Sequence, residues 1–238
     1  MRTIIMHFYN EEYLLPWWLK HHKKYFDHGI LINYHSTDNS VEICKEICPT
    51  WEVVKTKNND FNAIHVDREI MEIEKSIQGW RIALTTTEFL IGNYNLLNTS
   101  LQNYYVIKSY IMADYLNQDQ NTIHDDDLIK KHYHGYHDGN HRKGRLFNSI
   151  PSTYHTGRHF THYNTEDFAI LWYAFAPWTE RTKQRKLQIQ TRIPEINFRS
   201  GLGCHHSINY DQLEQQYLFH AARTGNMNDF IQKLIVDK

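Results

Sequence analysis

Hydrophobic positions in the first 92 residues form short runs that alternate with longer amphipathic stretches. Four runs have the length and composition of buried strands: residues 3–9, 29–33, 51–55 and 80–84. The stretches between them carry apolar side chains at helical spacing, and each has a residue suited to a helix start, namely Pro16, Asn39 and Asn62. This alternation predicts the α/β class, with a Rossmann-like, mostly parallel central sheet flanked by helices.

The second half of the chain is less regular. We expect a strand over 104–112, a polar loop rich in His and Asp over 117–144, and a buried strand over 168–176. Thr179 is placed to cap a basic helix that runs to about residue 191. Capping boxes are predicted at Asn39 with Glu42 and at Asp211 with Glu214, and a short helix ends the chain.

The stretch 79–92 combines a strand with a polar end. A turn glycine precedes five residues of strand composition, and three threonines and Glu88 follow them. In open parallel α/β sheets, ligands bind beyond the carboxyl ends of the strands. Residues 85–88 are therefore predicted to lie at a functional site.

Composition limits the classes of partner and compartment. The chain has 238 residues, of which 41% are hydrophobic and 22% charged, enough for one substantial core. A net charge of -1 gives no overall attraction to nucleic acid or to an anionic membrane, so any basic site is expected to be local. Three cysteines and the lack of a long apolar run predict reduced thiols, no transmembrane segment and a cytoplasmic location.

Two motifs lie near the start, Asn10-Glu11-Glu12-Tyr13-Leu14-Leu15-Pro16 and Ser36-Thr37-Asp38-Asn39-Ser40. Together they resemble the opening of family 2 type glycosyltransferases of the GT-A fold. In that family the central strand ends in Asp-x-Asp, often followed by Glu-Phe-Leu, and this chain has Thr85-Thr86-Thr87-Glu88-Phe89-Leu90 at the matching place. The resemblance is therefore to a member with a degenerate Asp-x-Asp motif.

The resemblance implies transfer of a sugar from a nucleotide-sugar donor to a saccharide or other hydroxyl acceptor, with inversion. It implies one domain over 1–238, with a nucleotide-binding half (1–92) and an acceptor-side half with C-terminal helices (93–238). Asp167 is the implied base, and Glu166 and Glu180 are the next candidates for that role. Tyr34 is placed to stack on a nucleobase. The residues implied or predicted to contact the donor are Asn10, Glu11, Glu12, Asn33, Asp38, Thr85, Thr87, Arg158, Lys186 and Arg192.

The diphosphate that leaves in such a transfer needs a counter-charge, and two sources stay open. One is Mn²⁺ or Mg²⁺ held by Glu88 with His205 or His206, although hard cations prefer several oxygen ligands. The other is metal-independent compensation by Arg158, Lys186 and Arg192. Basic residues over 181–192 are also consistent with a solvated helix face, and Asp38 with a helix cap.

Two other functions are compatible with the residues. The loss of Asp-x-Asp is compatible with an inert relative that binds a nucleotide sugar or a glycan. A His- and Asp-rich segment suggests a metallohydrolase, or a surface loop whose Tyr133 and Tyr136 line an acceptor groove. Its residues are His132, His134, His137, His141, Asp125, Asp126, Asp127 and Asp138.

Overall fold

A computed structural model of the chain describes residues 1–115, 127–139, 144–160 and 162–236. The strands in these ranges are β1 (Arg2–Phe8), β2 (His28–Asn33), β3 (Glu52–Lys55), β4 (Trp80–Leu84), β5 (Glu88–Gly92), β6 (Tyr104–Ile107), β7 (Ser109–Ala113), β8 (His134–Tyr136), β9 (Arg145–Asn148), β10 (Phe168–Phe175) and β11 (Gly225–Asn226). The helices are α1 (Leu15–His22), α2 (Ser40–Ile47), α3 (Ala63–Ser76), α4 (Leu96–Thr99), α5 (Leu128–Lys131), α6 (Glu180–Gln188), α7 (Glu195–Arg199), α8 (Tyr210–Ala221) and α9 (Asn228–Val236).

The first half forms the predicted parallel sheet. Its strand order is β3-β2-β1-β4-β9-β6, in which β1 to β4 are parallel and β9 is antiparallel to both of its neighbours. Strand β1 is buried on both faces, as its run of Ile and Met residues predicts. Gly29 in β2 is required because a Cβ there would lie 2.2 Å from the Trp51 ring. The α/β class, with a mostly parallel sheet flanked by helices, is confirmed.

A second sheet has the order β11-β8-β7-β10-β5, with β10 parallel to β7 and antiparallel to β5. Because β5 is an edge strand, its outer backbone groups need partners from outside the sheet. Helix α1 supplies them: Trp18 Nε1 donates to Glu88 O at 2.9 Å, and Leu90 N donates to His22 Nε2 at 3.2 Å. These bonds fix the strand that begins with Glu88.

Three local predictions differ from the structure. The run 104–112 is two strands of different sheets, β6 and β7, broken at Lys108. The second capping box lies two residues earlier than predicted, between Asn209 and Gln212. Asn39 precedes α2 but makes no capping bond, because its amide donates to Glu12 Oε2 at 3.0 Å instead. Asn62 and Thr179 do cap α3 and α6 as predicted.

Candidate functional site

Three loops meet at the carboxyl ends of β1, β2 and β4, and Asn10 joins the first two. Asn10 has a φ of 50°, a left-handed conformation that Asn tolerates better than most residues. Its backbone N donates to Ser36 Oγ at 3.0 Å, and its Oδ1 accepts from Thr37 N at 2.8 Å. Asn33 Oδ1 accepts from Ser36 N at 2.8 Å. The two predicted asparagines therefore shape the loops that form this edge.

The predicted acidic residues lie in the same loops. Glu12 N donates to Asp38 Oδ2 at 3.1 Å, and Ser40 N donates to Asp38 Oδ1 at 3.0 Å. Both carboxylate oxygens of Asp38 thus serve backbone N–H groups, which favours its structural interpretation. Glu11 N donates to Ser40 Oγ at 2.8 Å, which ties the backbone of Glu11 to the loop after β2.

The turn after β4 carries the three threonines. The Thr85 and Thr87 hydroxyls lie 2.9 Å apart and hydrogen-bond to each other. Trp172 Nε1 of β10 also donates to Thr87 Oγ1 at 3.1 Å, and Tyr173 N donates to Thr87 O at 2.7 Å. The turn therefore connects the two sheets, and the hydroxyls at the Asp-x-Asp positions contact protein groups.

Glu88 is buried and paired with Arg145 of β9. Arg145 Nε and Nη2 lie 2.9 and 2.8 Å from Glu88 Oε1, and Thr85 N donates to Oε2 at 2.8 Å. The third nitrogen, Arg145 Nη1, donates to Gly157 O at 2.7 Å and to Arg158 O at 3.1 Å. The Arg145 guanidinium is thus paired with the carboxylate that was predicted to bind a metal ion. The sequence did not indicate Arg145 as a residue of the site.

The residues present do not fit a hard divalent cation. Thr85 and Thr87 are neutral, and both oxygens of Glu88 already have donors. The described part of the chain contains no group of three His, Cys, Asp or Glu side chains that could hold a metal ion. His206 lies on the short 3-10 turn Cys204–His206, whereas the His205 side chain lies outside the described part of the structure. These contacts therefore favour a structural ion-pair role for Glu88 over the predicted metal role.

Helix α6 lies against the loops after β1 and β4. Arg185 Nε donates to Glu11 Oε2, and its Nη2 donates to Glu11 Oε1 at 2.7 Å and to Thr86 Oγ1 at 3.1 Å. Gln188 Nε2 donates to Asn10 O at 2.9 Å, and Arg181 Nη2 lies 3.3 Å from Glu12 Oε1. The alternative of a solvated face therefore does not hold for Arg185 and Gln188, whereas Arg181 is exposed. Their spacing of four and three residues is the sequence signal that could have revealed a contact face.

Two cations of the same region lack a carboxylate partner among the described residues. Arg192 Nη2 donates to Asn59 O at 3.0 Å, and its guanidinium lies 4.8 Å from the Tyr9 ring centroid. Lys186 is half-buried with its amine 4.4 Å from the Phe175 ring centroid. Burial, and then the neighbouring charge of Arg185, lower the pKa of Lys186 to about 7. At neutral pH, Lys186 is therefore only partly protonated and is a weak source of positive charge.

Arg158 is buried near the carboxyl end of β1. It has a φ of 53°, and its Nη1 pairs with Asp67 Oδ1 of α3. Gly157 N donates to Asp67 Oδ2 at 2.6 Å, so Asp67 fixes this loop at two points. Desolvation, and then the charges of Arg158 and Arg145, lower the pKa of His7 to about 3. Arg158 thus has a structural partner, although its buried Nε has none among the described residues.

Tyr34 is not placed to stack on a nucleobase. Its ring is fully buried and stacks on Phe61 at a centroid distance of 4.4 Å, and its hydroxyl donates to Glu69 Oε2 at 2.7 Å. The prediction for Tyr34 is therefore wrong. A groove of about 400 Å³ lies beside the same loop and is lined in part by Asn33, His35 and Lys55.

The predicted base lies at the other end of β5. Phe168 pairs with Gly92, and Trp172 pairs with Glu88, so Asp167 lies beside the strand end that is remote from the threonine turn. Four residues of strand span about 13 Å. Glu166 is exposed and pairs with Lys108 at 3.0 Å. Glu180, the third candidate, is exposed and accepts a hydrogen bond from the Tyr210 hydroxyl at 2.9 Å. The antiparallel pairing therefore argues against Asp167 or Glu166 as the base for a transfer at the turn.

Within its described residues, the His- and Asp-rich segment contains no group of three side chains that could hold a metal ion, so the structure gives no support to the metallohydrolase alternative. His132 Nδ1 lies 2.6 Å from Asp114 Oδ1 in a buried pair, and His137 Nδ1 lies 3.1 Å from Ser109 O. Asp127 caps α5 instead of facing them. His141, Asp125 and Asp126 lie outside the described residues.

Neither a protein-family model nor a curated protein matches the chain. Among solved structures, S. aureus TarS 1-349 matches at 13% identity and a TM-score of 0.42, over 98% of this chain and 80% of that one. TarS 1-349 in complex with UDP matches at 10% identity and 0.38, over 62% and 46%. Glucosyl-3-phosphoglycerate synthase from Mycobacterium tuberculosis with Mn²⁺, UDP and glucosyl-3-phosphoglycerate matches at 11% and 0.37, over 63% and 56%.

The matched part of this chain spans about half of the length of the two UDP complexes, 46% and 56%. At identities of 10–13% and TM-scores of 0.37–0.42, these likenesses carry no argument about activity. The function is therefore inferred from the site of this chain alone. No helix in the described ranges is long and apolar enough to cross a membrane.

Proposed function

We propose that the protein is a glycosyltransferase that moves a sugar from a nucleotide-sugar donor to a saccharide or other hydroxyl acceptor. The observation that carries this proposal is the position of α6, whose Arg181 and Arg185 contact the loops at the carboxyl ends of β1 and β4. Arg185 contacts both Glu11 and Thr86 there. Ligands of open α/β sheets bind at this edge. Arginine side chains there can form charge-assisted hydrogen bonds to an anionic ligand.

The chemistry of the transfer requires such a surface. As the bond from the sugar to the diphosphate breaks, negative charge develops on the leaving oxygen and is stabilised by preorganised donors. Arg192 lies in the same region and has no carboxylate partner within the described part of the chain, whereas the lowered pKa of Lys186 leaves that amine only partly protonated at neutral pH. The proposed donor site therefore derives its counter-charge from side chains.

Inversion at the anomeric carbon is part of the proposal, but no base is assigned. An inert relative that binds a nucleotide sugar is the second candidate, because Asp167 and Glu166 are remote from the turn. The absence of a metal-ligand group within the described residues gives no support to a metallohydrolase.

Donor turnover separates these functions. The protein is incubated with UDP-, GDP- and TDP-sugars in EDTA without acceptor, and nucleotide release and binding are both measured. Slow release from one donor is the expected result for a transferase. Binding without release would instead indicate the inert relative. If the protein neither binds nor turns over any of these donors, the proposal is refuted. With an acceptor in hand, ¹H NMR of the first product anomer tests inversion.

A further inference from the structure

Arg185 connects three parts of the candidate site through one side chain. It extends from α6, forms a two-point ion pair with Glu11 after β1, and donates to Thr86 after β4. The pair is largely buried, with side-chain exposures of 12% for Arg185 and 11% for Glu11. Residues 174 positions apart are thus brought into contact at the expected ligand edge.

The donor groups of Arg185 are only partly used. Nε and one N–H of Nη2 point to Glu11, and the other N–H of Nη2 points to Thr86. Among the described residues, Arg185 Nη1 has no hydrogen-bond acceptor, and this nitrogen is accessible to solvent. A guanidinium fork binds carboxylate and phosphate oxygens with the same geometry. The Glu11 carboxylate therefore occupies a position that a phosphate group would fit.

The neighbouring groups leave Arg185 as the cation at the threonine turn. Glu88 is neutralised by Arg145, and the threonines add no charge. A divalent cation would find neither free carboxylates nor a compact ligand group here, as the described residues show. The counter-charge that a metal ion supplies in other sites must then come from a side chain that reaches the turn, and Arg185 does so at 3.1 Å from Thr86 Oγ1.

We propose that Arg185 is the counter-charge for the diphosphate of the donor, and that Glu11 is an internal competitor that the diphosphate displaces from it. This proposal rests on the proposed function. On binding, the phosphate oxygens accept the N–H groups of Arg185 that Glu11 now accepts, and the Glu11 carboxylate turns to solvent. No covalent bond changes in this exchange. Affinity for the diphosphate then depends on the strength of the ion pair that it replaces.

Binding of UDP, GDP and TDP, and of the matching nucleosides, tests the proposal by isothermal titration in EDTA. Arg185→Met is expected to lower the affinity for the diphosphate that binds wild type best by about 10-fold or more, because charge-assisted hydrogen bonds are lost. Nucleoside affinity is expected to stay within about 3-fold, since the nucleoside has no phosphate. Glu11→Gln is expected to strengthen diphosphate binding by about 3-fold or more, because the competing carboxylate is gone.

Two further variants keep the test interpretable. The double variant Glu11→Gln/Arg185→Met leaves no unpaired charge at the site, and it should show the loss of the single Arg185 variant without the gain of the Glu11 variant. Arg199→Met is the control, because Arg199 is exposed and pairs only with Glu195 on α7 among the described residues. Circular dichroism confirms that each variant is folded.

The outcomes separate the two proposals. If the wild-type protein binds no nucleoside diphosphate with or without Mn²⁺, the proposed function and this inference both fail. If it binds one only with Mn²⁺, or if Arg185→Met binds as well as wild type, the inference is overturned and the function stands. Weaker binding by Glu11→Gln would overturn the role of Glu11 as a competitor.

Discussion

Replacing Glu88 by Gln tests whether this residue is a structural partner of Arg145 or a metal ligand. The side chain keeps its size but loses its charge, and Arg145 remains buried with 6% of its side chain exposed. Gln offers one acceptor oxygen where Glu88 offers two, to Arg145 and to Thr85 N. One of these donors must therefore face an amide NH₂ group.

The magnitude follows from the burial of the pair. Removing one member of a buried ion pair costs about 3–5 kcal/mol. The lower end applies here because Arg145 Nη1 keeps its bonds to Gly157 O and Arg158 O. We expect Glu88→Gln to lower the free energy of unfolding by about 3 kcal/mol. Urea denaturation at neutral pH in EDTA measures it, with an unchanged m-value as the sign that the unfolded state is the same.

Two further variants sharpen this measurement. Glu195→Gln breaks an exposed pair with Arg199, whose side chains are 76% and 70% exposed, and should change stability by less than about 0.5 kcal/mol. The double variant Glu88→Gln/Arg145→Met should lose at least about 1 kcal/mol less than the sum of the two single variants. A loss below about 1 kcal/mol for Glu88→Gln, together with a Mn²⁺-dependent stabilisation seen only in wild type, would refute the structural role.

Three other changes probe the site and its surroundings. Trp172→Phe removes the indole donor to Thr87 and should cost about 1 kcal/mol in urea denaturation; an unchanged midpoint would show that the bond contributes nothing. His7 has a pKa of about 3 in the folded protein against 6.5 as its ordinary value, so the unfolded chain binds more protons between these values. Stability should therefore fall as pH drops through this window, and His7→Phe should flatten that fall; equal slopes would contradict the assignment. Asp167→Asn should keep donor turnover within about 3-fold of wild type because Asp167 lies at the remote end of β5, whereas a loss of about 100-fold or more would restore it as the base.

Much of the fold was predictable because its signals are local. The strands and helices up to Gly92 follow from apolar runs, helical spacing and capping residues that lie within a few positions of one another. Asn62 caps α3 and Thr179 caps α6 for the same reason. The location of a polar site after β4 was also predictable, since the carboxyl ends of parallel strands share one edge.

The contacts between distant residues were not predictable in this way. Arg145 is 57 positions from Glu88, and the antiparallel placement of β9 beside β4 brings them together. Similarly, residues 104–112 alternate like one strand, but only the assembled sheets show that Lys108 separates two.

The sequence by itself determined the alternation of elements, the sheet edge at which three polar loops meet, and the residue types available there. The tertiary structure alone decided the partner of each charge: Glu88 with Arg145, Glu11 with Arg185, and Asp167 at the far end of β5. The physical reason is range. Periodicity and capping depend on neighbours along the chain, whereas a buried ion pair depends on strand order and direction, which no short window of sequence contains.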